Sequence, residues 1–308
     1  MREPLFRGTG TALVTPFSAS GVDYCAMGRL IDWQIESGAD FLVVLGTTGE
    51  APAISEAERA NVTSFSVARA SGRVPVVIGT GGNNTERAIE NCRSARELGA
   101  DGALVVTPYY NKPSQEGLYC HFEAITNSVD IPIIAYNVPG RTGVNLLPST
   151  VARMASLPGI AGLKEASGSI AQADEIIESV RHIRDDFSVL SGNDDQTFHI
   201  VNSGGHGVIS VLSNILPDRV AEMTRAATRG DVATGRELHL NMLPLMRSLF
   251  AETNPMPVKY ALSRLGYCEN RLRLPLVPAS EGTMRRIDSD LELCGVMADN
   301  ALDMRAAG

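Results

Sequence analysis

Ile160-Ala-Gly-Leu-Lys-Glu-Ala-Ser-Gly168 is a short apolar run with a lysine near its end and a glycine closing its polar tail. Its length and apolarity read as a strand buried on both faces, as parallel sheets require. Working outward, seven similar runs appear: Thr9 to Val14, Phe41 to Leu45, Pro75 to Gly79, Gly102 to Val106, Ile131 to Tyr136, Phe187 to Leu190 and Gly207 to Val211. Most begin about 27 to 34 residues after the one before, which is the length of one strand-plus-helix unit. Eight such units predict an α/β fold, a closed (β/α)8 TIM barrel.

The segments between the runs carry helix signals. Ser55-Glu-Ala-Glu, Asn84-Thr-Glu-Arg and Ser114-Gln-Glu-Gly open amphipathic stretches with capping-type residues. Gly38, Gly99 and Gly204 stand where helices are expected to stop. Gly79-Thr-Gly-Gly lacks the third spaced glycine of a dinucleotide fingerprint. Beyond about residue 230 only helical patterns remain, at Ala233 to Phe250, Pro257 to Leu265 and Gly282 to Leu302. The expected division is a catalytic barrel over residues 1–230 and a C-terminal helical domain over 231–308.

The chain of 308 residues is 44% hydrophobic, enough for a large core, and its net charge of −8 argues against nucleic acid or an anionic membrane as a partner. No apolar run reaches membrane-spanning length and the N-terminus has no signal-like core, so a cytoplasmic location is expected. Five scattered cysteines without a C-x-x-C pair read as reduced thiols. Five histidines without i, i+4 spacing give no metal site.

The chain contains only three lysines, Lys112, Lys164 and Lys259; the other 24 of its 27 basic side chains are arginine. A buried arginine stays charged, whereas a desolvated lysine can lose its proton and act as a nucleophilic amine. Strand alternation sets Gly162, Lys164 and Ala166 on one face and Leu163 and Glu165 on the other, so Glu165 is not the expected ion-pair partner. With no carboxylate expected beside it, Lys164 is expected to titrate below the usual lysine range. A coding bias against lysine, with Lys164 reaching out at a strand end, is the bland alternative.

In such a barrel the active site lies at the carboxyl ends of the strands. There the sequence places Gly46-Thr-Thr-Gly-Glu50, Thr107-Pro-Tyr-Tyr-Asn-Lys112, Tyr136-Asn-Val-Pro-Gly-Arg-Thr-Gly143, Lys164 and Ser191-Gly-Asn-Asp-Asp195. Thr47 and Thr48 offer hydroxyls and amides to a small carboxylate. Arg141 offers a planar fork to a second one. Tyr136 shares a face with Ile134 and can point into the barrel mouth. Taken singly, each feature also has a structural explanation: a tight turn, aromatic filling, a surface cation.

These motifs, together with Tyr109-Tyr-Asn-Lys-Pro-Ser-Gln-Glu-Gly-Leu118, Gly162-Leu-Lys-Glu-Ala-Ser-Gly168 and Gly204-Gly-His-Gly-Val-Ile-Ser210, resemble the 4-hydroxy-tetrahydrodipicolinate (dihydrodipicolinate) synthase family. That family sits in the pyruvate-aldolase superfamily that includes N-acetylneuraminate lyase. The resemblance runs from about Gly8 through Arg273-Leu-Pro-Leu276. It implies condensation of pyruvate with L-aspartate 4-semialdehyde through a Schiff base on Lys164, with no separate cofactor, in the lysine and diaminopimelate pathway. It implies further that Thr47, Tyr136 and Tyr110 relay protons and that Tyr110 enters the site of a neighbouring subunit in a dimer of dimers. Thr48 and Arg141 match the holders of the two substrates' carboxylates, Ile209 a main-chain carbonyl near the lysine, and Gly192 a backbone position facing the substrates.

Two departures from the family pattern stand out. Ser191-Gly-Asn-Asp replaces the commoner Ser-Gly-Asp-Asp. Arg59 and Arg87 stand where lysine-inhibited members carry histidine and glutamate, while Asn83 and Tyr109 are retained, so weak or absent feedback by L-lysine is expected. A sister aldolase acting on a 2-keto sugar acid or on 4-hydroxy-2-oxoglutarate would keep Lys164 and Tyr136, and the Pro-Gly-Arg-Thr sequence distinguishes it. A metabolite-binding scaffold without catalysis is the third alternative.

Overall fold

Parallel strands close on themselves to form the centre of the molecule, seen in a computed structural model that describes residues 3–296. In chain order the strands are β1 (Gly8–Ala12), β2 (Phe17–Ser18), β3 (Gly21–Val22), β4 (Phe41–Val44), β5 (Val76–Gly79), β6 (Gly102–Val106), β7 (Ile133–Asn137), β8 (Ile160–Glu165), β9 (Ser188–Ser191) and β10 (Gly207–Ser210). Eight of them form the barrel, in the order β1, β10, β9, β8, β7, β6, β5, β4 and back to β1. All eight apolar runs become barrel strands, with ends shifted by one or two residues. The antiparallel hairpin β2–β3 is an addition the apolar pattern did not mark, because strands of two residues have no period.

Helices between the strands cover the barrel, and their starts follow the capping residues. Ser55 and Glu58 form a reciprocal capping box on the helix Glu56–Ala70. Asn84 caps Thr85–Glu97 and Ser114 caps Gln115–Ser128 through their side-chain oxygens. Gly38, Gly99 and Gly204 take positive φ where those helices and their neighbours end. Gly79, the last residue of β5, is required for a different reason: a Cβ there would lie 2.0 Å from the Leu45 carbonyl oxygen, so this glycine serves strand packing.

Side chains that alternate along the strands make two cores. Phe41, Val43, Val77, Leu104, Ile134, Leu190 and Ile209 fill the barrel interior, whereas Leu163, Val189, Ala135 and their neighbours pack outward against helices. Three helices follow the barrel: Val232–Ser248, Met256–Arg264 and Glu281–Leu293. Met242, Leu245, Val258, Leu262, Ile287 and Leu291 share one buried cluster with Leu13, Val44 and Val220 of the barrel, so the last helices are fused to it through common apolar packing. The last helical pattern was expected to reach Leu302; its residues from 297 onward lie outside the described residues. Among the described residues no helix is long and apolar enough to cross a membrane.

Candidate active site

Lys164 occupies β8 opposite Tyr136 of β7 in the strand register, with Glu165 opposite Asn137. Alternation therefore sends Lys164 inward. Its Nζ lies 4.4 Å from the centre of the Tyr136 ring, and the side chain is only 5% exposed. Glu165 points the other way, into a polar network outside the barrel wall. It accepts from Asn137 Nδ2 at 3.0 Å, from Gln172 Nε2 at 3.3 Å and from the Ser167 amide at 2.6 Å. No ion pair or hydrogen bond holds the Lys164 amine among the described residues; the Tyr136 ring is its neighbour.

Burial pushes the Lys164 ammonium down to about 8. The expectation that no carboxylate adjoins it is corrected by Asp194, whose charge acts on Lys164 in the opposite, stabilising direction, while Arg141 adds to the lowering. Asp194 is itself buried, and burial raises its carboxyl. Both of its oxygens are engaged: they accept from the Ser210 hydroxyl at 2.5 Å, the Val211 amide at 3.0 Å and the Leu212 amide at 2.9 Å. Those bonds tie the loop after β9 to the loop after β10. Its place at a strand end, within the quoted Ser-Gly-Asn-Asp motif, was the signal that could have found it.

Gly192 leaves the space Lys164 needs. A Cβ there would meet Ala166 Cβ at 2.6 Å and Lys164 Cε at 3.1 Å, and the Gly192 amide donates to the Glu165 carbonyl at 2.7 Å. Ile209 sits in β10 beside β9, fully buried in the barrel interior.

Beside Tyr136 is a cavity of about 410 Å³ whose wall includes Thr47, Arg59, Tyr109, Tyr136, Arg141 and Asn254; Lys164 and Thr48 lie behind that wall and do not line it. The Tyr136 phenol lies beside the Thr47 hydroxyl; burial raises its pKa, and the Arg141 charge and the polar contact with Thr47 oppose that rise. The turn carrying Thr47 starts at Leu45, which takes φ 57°, a left-handed conformation costly for a side chain of that shape. Amides of Gly49 and Glu50 fold back onto Gly46 and Thr47, leaving the Thr47 and Thr48 amides without a backbone acceptor among the described residues. Thr48 is buried, and its hydroxyl accepts from Asn254 Nδ2 at 3.0 Å. The Arg141 guanidinium, carried by the short helix Pro139–Thr142, donates to the Asn254 carbonyl at 3.0 Å.

Tyr110 is not brought to this site. It is 89% exposed at φ 72°, outside the cavity wall, so within one chain the pair Thr47–Tyr136 stands without the second phenol. Sequence reading also missed a buried ion pair: Lys259 Nζ lies 2.5 Å from Glu50, and neither side chain is more than 1% exposed. The same ammonium donates to the Arg271 carbonyl at 2.9 Å, and Glu50 accepts from the Arg273 amide at 3.0 Å. The end of the Gly46–Glu50 turn is thereby fastened to the C-terminal segment.

A closed barrel with a desolvated amine on a strand's carboxyl end, beside hydroxyls and cations, defines a lyase of the class I aldolase type. The chain belongs to the dihydrodipicolinate synthetase family, whose pattern it matches over residues 5–293. It is 52% identical to the 4-hydroxy-tetrahydrodipicolinate synthase of Kosmotoga olearia, over 95% of this chain and 100% of that protein. With the synthase of Thermotoga neapolitana the identity is 49%, covering 95% and 100%. Its structure resembles that of dihydrodipicolinate synthase from Thermotoga maritima with a TM-score of 0.94 and 48% identity, covering 95% of this chain and 99% of that one. A monomeric dihydrodipicolinate synthase variant gives the same TM-score, 0.94, at 48% identity, covering 95% and 98%.

Proposed function

We propose that Lys164 is the amine through which this synthase condenses pyruvate with L-aspartate 4-semialdehyde. The observation that carries the assignment is an ammonium buried against the Tyr136 ring, without a counter-ion in bonding contact, and brought down to about 8. Near neutral pH a useful fraction of that amine is free. It attacks the keto carbon of pyruvate to form a carbinolamine, and loss of water leaves a cationic imine. The imine draws electrons from the adjacent methyl group, which loses a proton to become an enamine. The enamine carbon then bonds to the aldehyde carbon of the second substrate.

Each of those steps moves a proton. The Thr47 hydroxyl beside the Tyr136 phenol supports a relay from the amine towards the cavity. Tyr110, exposed and held in a left-handed conformation, supports completion of that relay in the site of a neighbouring copy, within a homotetramer built as a dimer of dimers. Thr48 receives the pyruvate carboxylate and Arg141 the carboxylate of the semialdehyde. Gly192 gives the amine room and Ile209 offers its carbonyl. Because the imine is the electron sink, the chemistry calls for no separate cofactor. Five free cysteines fit a reducing, cytoplasmic setting.

Incubation with pyruvate followed by borohydride reduction tests the assignment. The added mass is expected on Lys164; adduct on Lys112 or Lys259 overturns it. Turnover of aspartate semialdehyde in preference to keto-sugar acids distinguishes the synthase from a sister aldolase. Arg141→Ala is expected to damage use of the semialdehyde far more than pyruvate binding.

A further inference from the structure

Asn254 lies just before the helix Met256–Arg264, yet it touches the site from a part of the chain remote from every strand. Its side chain is buried and its Nδ2 donates to the Thr48 hydroxyl at 3.0 Å. Its main-chain oxygen accepts from Arg141 Nη2 at 3.0 Å. One residue thus touches both groups assigned to the substrate carboxylates, one from the turn after β4 and the other from the loop after β7. A hydroxyl whose oxygen already accepts a hydrogen bond has its own proton left to donate. Among the described residues no acceptor takes that proton.

We propose that Asn254 is a positioning residue that orients the Thr48 hydroxyl as a donor to the pyruvate carboxylate. The inference rests on the assignment of Thr48 made above. The carboxamide supplies the donor that occupies the Thr48 lone pair. The Thr48 proton is left to the ligand, where a bond to a carboxylate is stronger than one between neutral groups. The Asn254 carbonyl holds Arg141 independently of the side chain, so a substitution at 254 separates the two effects. Thr48 loses its orientation while Arg141 keeps its acceptor.

The test compares Thr48→Val, Asn254→Ala and Asn254→Asp in the full-length enzyme, by KM for each substrate, kcat and melting temperature. Asn254→Ala is expected to raise the KM for pyruvate about tenfold, the effect of losing one oriented hydrogen bond, with kcat and the semialdehyde KM within about twofold of native. Asn254→Asp has nearly the same shape but only acceptors. It is expected to raise the pyruvate KM further, because the carboxylate captures the Thr48 proton and repels the ligand. Thr48→Val combined with Asn254→Ala is expected to be no worse than Thr48→Val alone. An unchanged pyruvate KM in Thr48→Val overturns the assignment of Thr48 and the proposal with it. A raised KM in Thr48→Val with native values in both Asn254 variants overturns the proposal alone. Asn254→Asp milder than Asn254→Ala, or equal loss for both substrates, shows a packing role and also overturns it. If Asn254→Ala does not fold, the isosteric Asn254→Asp still decides the matter.

Discussion

Lys164 and Tyr136 are register partners on adjacent parallel strands, and the amine faces the phenol ring at 4.4 Å from its centre. A flat aromatic wall excludes water while making no demand for a proton, so desolvation governs the titration and the amine is half free near pH 8. The initial rate of borohydride-trapped adduct formation with pyruvate is expected to rise between pH 6 and 9, with its midpoint near 8. A profile flat across that range would contradict a poised amine.

The same burial works against the fold. Lys164 titrates near 8 in the native state against 10.5 for an ordinary lysine, so at pH 7 both states are protonated and the native one carries a cost on the order of 3 kcal/mol. As pH rises past 8 the native state sheds its proton before the unfolded one, and the cost fades by about 10.5. Lys164→Met, similar in volume, is expected to form no adduct and to resist urea better than the native chain at pH 7. Its advantage narrows towards pH 10. A variant no more stable than native at pH 7 refutes the sign.

The proposed relay treats Tyr136 and Thr47 as one unit. Tyr136→Phe and Thr47→Val are each expected to lower kcat by about 10²-fold, in the range of positioned proton transfer. The double variant is expected to be about as slow as the worse single one. Multiplicative losses in steady-state assays would show that the two hydroxyls work separately.

Arg59 donates to the Gly79 carbonyl at 2.8 Å from within the cavity wall, and Arg87 is ion-paired with Glu56 and Glu90. The Arg59 guanidinium, which has no carboxylate partner among the described residues, repels a cationic amino acid at that wall, whereas the charge of Arg87 is offset by its two carboxylates. L-lysine is expected to leave turnover unaffected in a dose-response assay, and ordinary millimolar inhibition would refute this.

On the proposal that another copy supplies the second phenol, the site is complete only in an assembly. Specific activity is expected to fall as the protein is diluted until light scattering reports single chains, and Tyr110→Phe is expected to be slow at every concentration. A fully active monomer would remove Tyr110 from the relay.

The barrel was legible because its strands are buried on both faces and so appear as unbroken apolar runs, and because Lys164 interrupts one of them. Alternation alone placed Glu165 outside, where it bonds Asn137 and Gln172. Other relationships left no local trace. Asn254 reaches Thr48 across 206 positions of sequence, and Lys259 meets Glu50 through the C-terminal packing. Neither contact has a period, a spacing or a characteristic neighbour. Asp194 stood in a quoted motif, but only the closure of β10 against β9 shows that its oxygens fasten the Val211 and Leu212 amides.

The three lysines occupy three different electrostatic situations: Lys112 is exposed, Lys259 is locked to Glu50, and Lys164 is desolvated without a bonded counter-ion. Acylating reagents attack only the neutral form of an amine, and burial favours that form at Lys164. Among so few competitors, the time course of its labelling becomes a direct gauge of whether the mouth of the barrel is occupied.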